Sequence, residues 1–154
     1  MKKIMIMLNL TLNSYIDVGL LIFRLGIGMM FMWHGFPKIM SGVVGWTALG
    51  KSMEVLGVHF APALFGLLSG CTEFFGGLFL ASGFLYRPIC LLLISNMFVA
   101  FSTQILEGKG MLKAAQSIED GFSFIGALFV GPGKYSIDEY LGLNLARRKN
   151  RRGM

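Results

Sequence analysis

The sequence is poor in charge. Only 14% of its 154 residues are Asp, Glu, Lys or Arg, against 55% that are hydrophobic, whereas a soluble domain carries about 25% charged residues. That deficit excludes a water-soluble globular fold and points to an integral membrane protein. Histidine is scarce as well: there are two, His34 and His59. Because His59 falls in a loop, a haem held by histidines on facing helices is not expected. Cys71 and Cys90 fall at depths separated by well over ~10 Å at 1.5 Å rise per residue, beyond the ~7 Å Cα limit for a disulfide. They read as small, buried apolar residues. CxxC, HExxH, Walker and GxSxG motifs are absent, and no closed set of metal ligands appears, so no metal site is expected.

Long apolar stretches stand in place of charge. A membrane-spanning helix needs about 20 mostly apolar residues, and four stretches qualify, at 17–40, 62–85, 88–106 and 114–131. The expected fold is all-α, a four-transmembrane-helix bundle that makes residues 1–154 a single membrane domain. An even number of spans puts both termini on one side. Lys2, Lys3, Arg87, Lys134, Arg147, Arg148, Lys149, Arg151 and Arg152 fall on that side, and Lys38, Lys51, Lys109 and Lys113 on the other, so the excess of positive charge places both termini in the cytoplasm. The opening MKKIMIMLNLTLNS reads as a retained cytoplasmic leader, since Asn9, Thr11 and Asn13 break its apolar run. The basic tail over 143–154 lies against anionic lipid, where each basic residue gains about 1 kcal/mol. It accounts for much of the +6 net charge without a nucleic-acid partner. The long outer segment SGVVGWTALGKSMEVLGVHFA, between the first two spans, is too apolar to float free and too broken to span. It is expected at the interface or folded over the bundle mouth. The short LYRP connection makes the second and third spans antiparallel neighbours.

In lipid, small and polar residues mark the faces where helices pack. At 3.6 residues per turn, Gly66, Gly70, Glu73 and Gly77 share one face of the second span. Arg24, Gly28, Phe31, Gly35 and Lys38 share a face of the first, with His34 on its flank. Asn96, Ala100, Thr103 and Glu107 line up in the third with Gln104 beside them, and Glu119, Ser123 and Gly126 in the fourth. The five glycines Gly28, Gly35, Gly66, Gly70 and Gly77 are the expected packing positions. Polar or ionisable side chains at membrane depth are functional candidates, which gives Arg24, His34, Lys38, Glu73, Gln104 and Glu119 as ligand-binding candidates. Of these, Glu73, His34 and Glu119 are the groups suited to acid–base chemistry. His34, Gln104, Glu107, Glu119 and Asp120 lie near the outer ends of their helices, so with Lys38 they outline a vestibule whose floor is Glu73. Helical side chains lean toward their own N-terminus. That lean makes His34 the expected partner of Glu73 and leaves Arg24 to the cytoplasmic half.

Three segments, RLGIGMMFMWHGFPKI, EFFGGLFLASGFLYRP and GPGKYSIDEYL, resemble in order and spacing the DoxX family of small four-span bacterial membrane proteins. The likeness runs from Leu21 to Leu141. It implies a bundle in the bacterial inner membrane, related to the small subunit of thiosulfate:quinone oxidoreductase and to assemblies linked to thiol or superoxide stress. The polar positions of the family pattern fall on Arg24, His34, Lys38, Glu73, Arg87 and Glu119, while Gln104 stands where relatives often place histidine. The function expected on that basis is a membrane subunit of a quinone-linked or thiol-linked redox system. Its polar interior would hold a quinone head group by hydrogen bonds from His34, Glu73 or Glu119. The chain offers no redox centre, so electrons would come from an oxidoreductase partner. Two other functions fit the same residues. One is a non-catalytic assembly or anchoring subunit. The other is a transport bundle for a small solute or proton with Glu73 as the titrating group, although no inverted repeat is visible. A homo-oligomer is compatible with all three.

Overall fold

The computed structural model describes residues 15–143. The leader over 1–14 and the tail beyond Leu143 lie outside the described residues. The described chain is helical with no strand: α1 (Ile16–Met40), α2 (Gly42–Gly50), a 3-10 turn (Lys51–Leu56), α3 (Pro62–Ser82), α4 (Tyr86–Leu106), α5 (Met111–Val130) and α6 (Ile137–Tyr140). Among the described residues, α1, α3 and α4 are long and apolar enough to cross a membrane. Helix α5 has 20 residues but carries Lys113, Glu119 and Asp120, which keeps it out of that set.

Helices α1 and α3 meet through glycine. A Cβ on Gly28 would sit 2.6 Å from the carbonyl of Gly77, and one on Gly77 would sit 2.6 Å from the carbonyl of Gly28. Two turns further along α1, a Cβ on Gly35 would collide with the backbone of Phe74 and Gly70. The two backbones touch, which only glycine permits. The outer segment packs on α3 in the same manner, with Gly66 against the backbone of Trp46 and Gly50 against that of Pro62. Trp46 also helps cap the end of α1. Its indole nitrogen donates to the carbonyls of Lys38 at 3.0 Å and Ile39 at 3.1 Å, two of the acceptors a helix leaves unmet at its C-terminus. On the other side, α5 packs along α4, and Phe124 of α5 meets Phe31 of α1 edge-on at 4.9 Å. Leu80, Tyr86 and Leu93 complete the buried apolar centre.

The LYRP turn lacks a capping residue of its own. Gly83, with φ of 67°, closes α3, and Leu85 with φ of 46° begins α4 in the left-handed region, which is costly for a leucine. The cap comes from far along the chain. The carboxylate of Asp138 accepts hydrogen bonds from the backbone N–H of Leu85 at 2.8 Å and of Tyr86 at 2.9 Å, and an acidic group at a helix N-terminus also meets the positive end of its dipole. Ser136 caps α6 in turn, accepting from the N–H of Glu139 at 3.2 Å. The segment after α5 thus folds back beneath the start of α4.

The stripe Glu119, Ser123 and Gly126 was expected to face the bundle, but Glu119 and Gly126 are exposed, and Ala114, Ser117, Phe124 and Ala127 are the buried positions. The competing stripe is more apolar and carries Phe124, which fills the centre; polarity alone was the wrong guide to the inner face of α5.

Candidate ligand-binding vestibule

Glu73 lies on the glycine stripe of α3 and is 4% exposed. The Lys38 ammonium donates to both its carboxylate oxygens, at 2.5 and 2.6 Å, and the amide of Asn96 on α4 donates to one of them at 3.2 Å. The lysine side chain keeps 34% of its surface exposed, against 5% for Glu73. A buried anion is therefore held by a cation that reaches it from the rim, which offsets the large cost of desolvating the carboxylate. The expected contact between His34 and Glu73 is not made. His34 is exposed, on the flank of α1, whereas Lys38 continues the buried line of Arg24, Gly28, Phe31 and Gly35. Leaning toward its own N-terminus, the lysine points down into the bundle, and Glu73 leans up to meet it.

Above this pair a cavity of about 680 Å³ opens between α3, α4 and the outer segment. Its base carries Lys38, Glu73, Asn96 and the hydroxyl residue Thr72, and its walls include Phe65, Leu68 and Val99. Gln104 lines it too, and its amide donates to the Ser117 hydroxyl at 3.0 Å, tying α4 to α5. Glu107 lies at the mouth, where it pairs with Lys109 at 2.5 Å. Such a space, polar at one end and apolar along its sides, falls within the ~300–1,000 Å³ range of small-molecule sites.

The remaining predicted residues lie elsewhere. Arg24 is 1% exposed at the opposite end of the bundle, where it donates to the carbonyl of Tyr135 and lies within electrostatic reach of Asp138. Its Nε and Nη1, like the Tyr86 hydroxyl, have no hydrogen-bond partner among the described residues. His34 and Glu119 are exposed, and Asp120 is half-buried within electrostatic reach of His34, Glu119 and Glu73. Among the described residues, no three His, Cys, Asp or Glu side chains group so as to hold a metal ion. Sequence reasoning placed Asn96 on an inward stripe without assigning it to the site, and it missed Asp138. The signal for Asp138 was the start of α4, where Phe84 and Leu85 offer no capping side chain, so that a distant one had to serve.

Comparison with known proteins gives this arrangement its family. The sequence pattern of the DoxX family matches residues 19–104, the stretch from α1 into the last turn of α4 that holds Lys38, Glu73 and Asn96. The chain belongs to the DoxX family. The inner membrane protein YqjF of Escherichia coli strain K12 is 30% identical over 128 residues, covering 81% of this chain and 93% of the relative. No solved structure matches the chain. With this relative and three apolar helices of spanning length, the chain is a multi-pass protein of the bacterial inner membrane. In this DoxX protein, α5 and the Asp138 cap fall beyond the matched stretch.

Proposed function

We propose that this DoxX protein forms one membrane domain crossing four times with both termini in the cytoplasm, and that its outward-facing vestibule binds a small molecule with a polar head and an apolar body. A quinone fits best, held for an oxidoreductase partner that supplies the electrons. The observation that carries this reading is the cavity of about 680 Å³ with the Lys38–Glu73–Asn96 cluster at its base and apolar walls. Quinone carbonyls accept hydrogen bonds, and Lys38, Asn96 and Thr72 are donors at the base; the ring and tail suit the apolar walls beside Phe65, Leu68 and Val99. When bound, the quinone supplies the electron-accepting chemistry. The protein's own residues orient it and keep a charged, hydrogen-bonded floor beneath it. Helix α5 is read as the fourth span because its 20 residues give about 30 Å of helix and it packs along α4.

A short-tailed quinone added to the protein in lipid nanodiscs should bind saturably at one site. Ala100→Phe, which fills the cavity and leaves the Lys38–Glu73 pair intact, should abolish that binding without lowering the melting temperature. Equal binding by parent and variant, or none by the parent, contradicts the proposal. A second reading, an assembly subunit, is favoured by the two oxygens of Glu73 being already satisfied within the chain. It stands if the quinone fails to bind while an oxidoreductase still co-purifies.

A further inference from the structure

Helices α3 and α4 leave the LYRP turn packed together and part further along. Near the turn an added Cβ on Gly76 would meet the Leu93 side chain at 3.0 Å, and one turn on, Asn96 still reaches Glu73 at 3.2 Å. Beyond that level the cavity separates them, with Leu68 and Thr72 on one side and Val99 and Thr103 on the other. The outer segment forms a third wall through Leu49, Ser52 and Met53. The side toward α1 and α5 carries the Lys38–Glu73 pair and the Gln104–Ser117 bond. Among the described residues, no element forms the fourth wall. That side is marked by three lining residues that are also exposed: Leu68 at 50%, Leu92 at 47% and Ser95. Their depth decides what they face. Both helices are long and apolar enough to cross a membrane. Ser95 is the tenth of the 21 residues of α4, close to its middle, and Leu92 lies about 6 Å nearer the LYRP turn than Asn96 at the cavity base. A cavity open at its outer mouth alone would have no exposed lining at or below its base. On the outside of a spanning helix that depth is hydrocarbon.

We infer that the vestibule has a lateral portal between α3 and α4, framed by Leu68, Leu92 and Ser95, through which a long-tailed ligand dissolved in the bilayer enters and leaves its tail in lipid. The inference rests on the reading of the cavity as a quinone site and adds the ligand's class and its route. Ser95 spends its hydroxyl proton on the Leu91 carbonyl at 2.9 Å, and Leu68 and Leu92 present only hydrocarbon. The portal thus offers no donor to hold water, and an apolar chain lies across it without stranding a polar group. Just inside, a head group meets Thr72 and Asn96. The tail stays in the medium it came from, so binding asks only the head to exchange its surroundings. A compact solute without a tail gains nothing from such an opening.

The test uses the whole chain in nanodiscs. With Cys71 and Cys90 replaced by Ala, Thr72→Cys carries a bimane fluorophore at the cavity base, and the bilayer holds phospholipid with a nitroxide midway along one acyl chain. The nitroxide should quench the bimane, and Ser95→Phe, which plugs the portal, should remove most of that quenching. Quenching through the helix wall would survive the plug. Equal quenching with and without it, or none in the parent, therefore overturns the inference. A second arm keeps the native cysteines and compares two quinones. Ser95→Phe should weaken binding of a long-tailed quinone loaded into the bilayer at least about tenfold, and of a short-tailed one added from water less than about twofold, because only the long tail meets the new ring. Equal losses, or no loss for either, overturn the portal as the ligand's route. If the parent binds neither quinone while the plug still blocks quenching, the quinone reading fails and the portal stands.

Discussion

Lys38→Met is expected to destabilise the folded chain by about 3–5 kcal/mol, and Glu73→Gln by only about 1 kcal/mol. The asymmetry follows from exposure. Removing the lysine strands a carboxylate that is 4% exposed and left with the single 3.2 Å hydrogen bond from Asn96. Removing the acid leaves a lysine with 34% of its side chain already exposed, and such a chain extends its ammonium toward the outer headgroups. A glutamine at position 73 still accepts from Asn96. The double variant should therefore be more stable than Lys38→Met alone, because it contains no stranded charge. Thermal unfolding of the four proteins in one detergent checks this. If Glu73→Gln is the more damaging change, the lysine is not what holds the acid in place.

Gly35→Leu should prevent α1 and α3 from docking, with loss of most folded protein, while Gly26→Leu on the same helix should be tolerated. A Cβ on Gly35 would lie 2.9 Å from the Gly70 carbonyl and collide with the Phe74 backbone, whereas one on Gly26 meets nothing within 4 Å. Backbone cannot give way as a flexible side chain can, so the ~1–3 kcal/mol usual for an overpacked core is a lower bound here. At Gly26 the leucine faces lipid and gains up to about 1 kcal/mol in helix propensity. Fluorescence-detected size exclusion of the two variants reads the outcome. Equal yields would mean that the α1–α3 contact is not a close one.

How much of this was legible in the sequence depends on the kind of signal. The three apolar helices were plain from length and hydropathy, with α1 and α3 beginning within a residue of their expected starts. The glycines at 28, 35, 70 and 77 stand at the α1–α3 contact, because 3.6-residue periodicity fixes which side chains share a face. The lean of helical side chains also pointed Glu73 toward the end of the bundle where Lys38 meets it. It gave the wrong partner because His34 is rotated off the buried line, an angular difference that a polarity count does not weigh. For α5 the same count failed outright, since Phe124 and Ala127 decide its buried face. Asp138 is a different case. A cap that arrives from more than fifty residues away leaves no local trace beyond the missing cap it replaces.

In the function proposed above, the vestibule opens to the periplasm and takes a guest above Glu73. The most direct measurement places a cysteine at Ser69, on the wall of that cavity, in a chain with Cys71 and Cys90 replaced by Ala, and follows its reaction with a membrane-impermeant maleimide applied to intact spheroplasts. The account predicts labelling from the periplasmic side that a short-tailed quinone slows. Labelling only after the cytoplasmic side is opened, or a rate indifferent to the quinone, would contradict it.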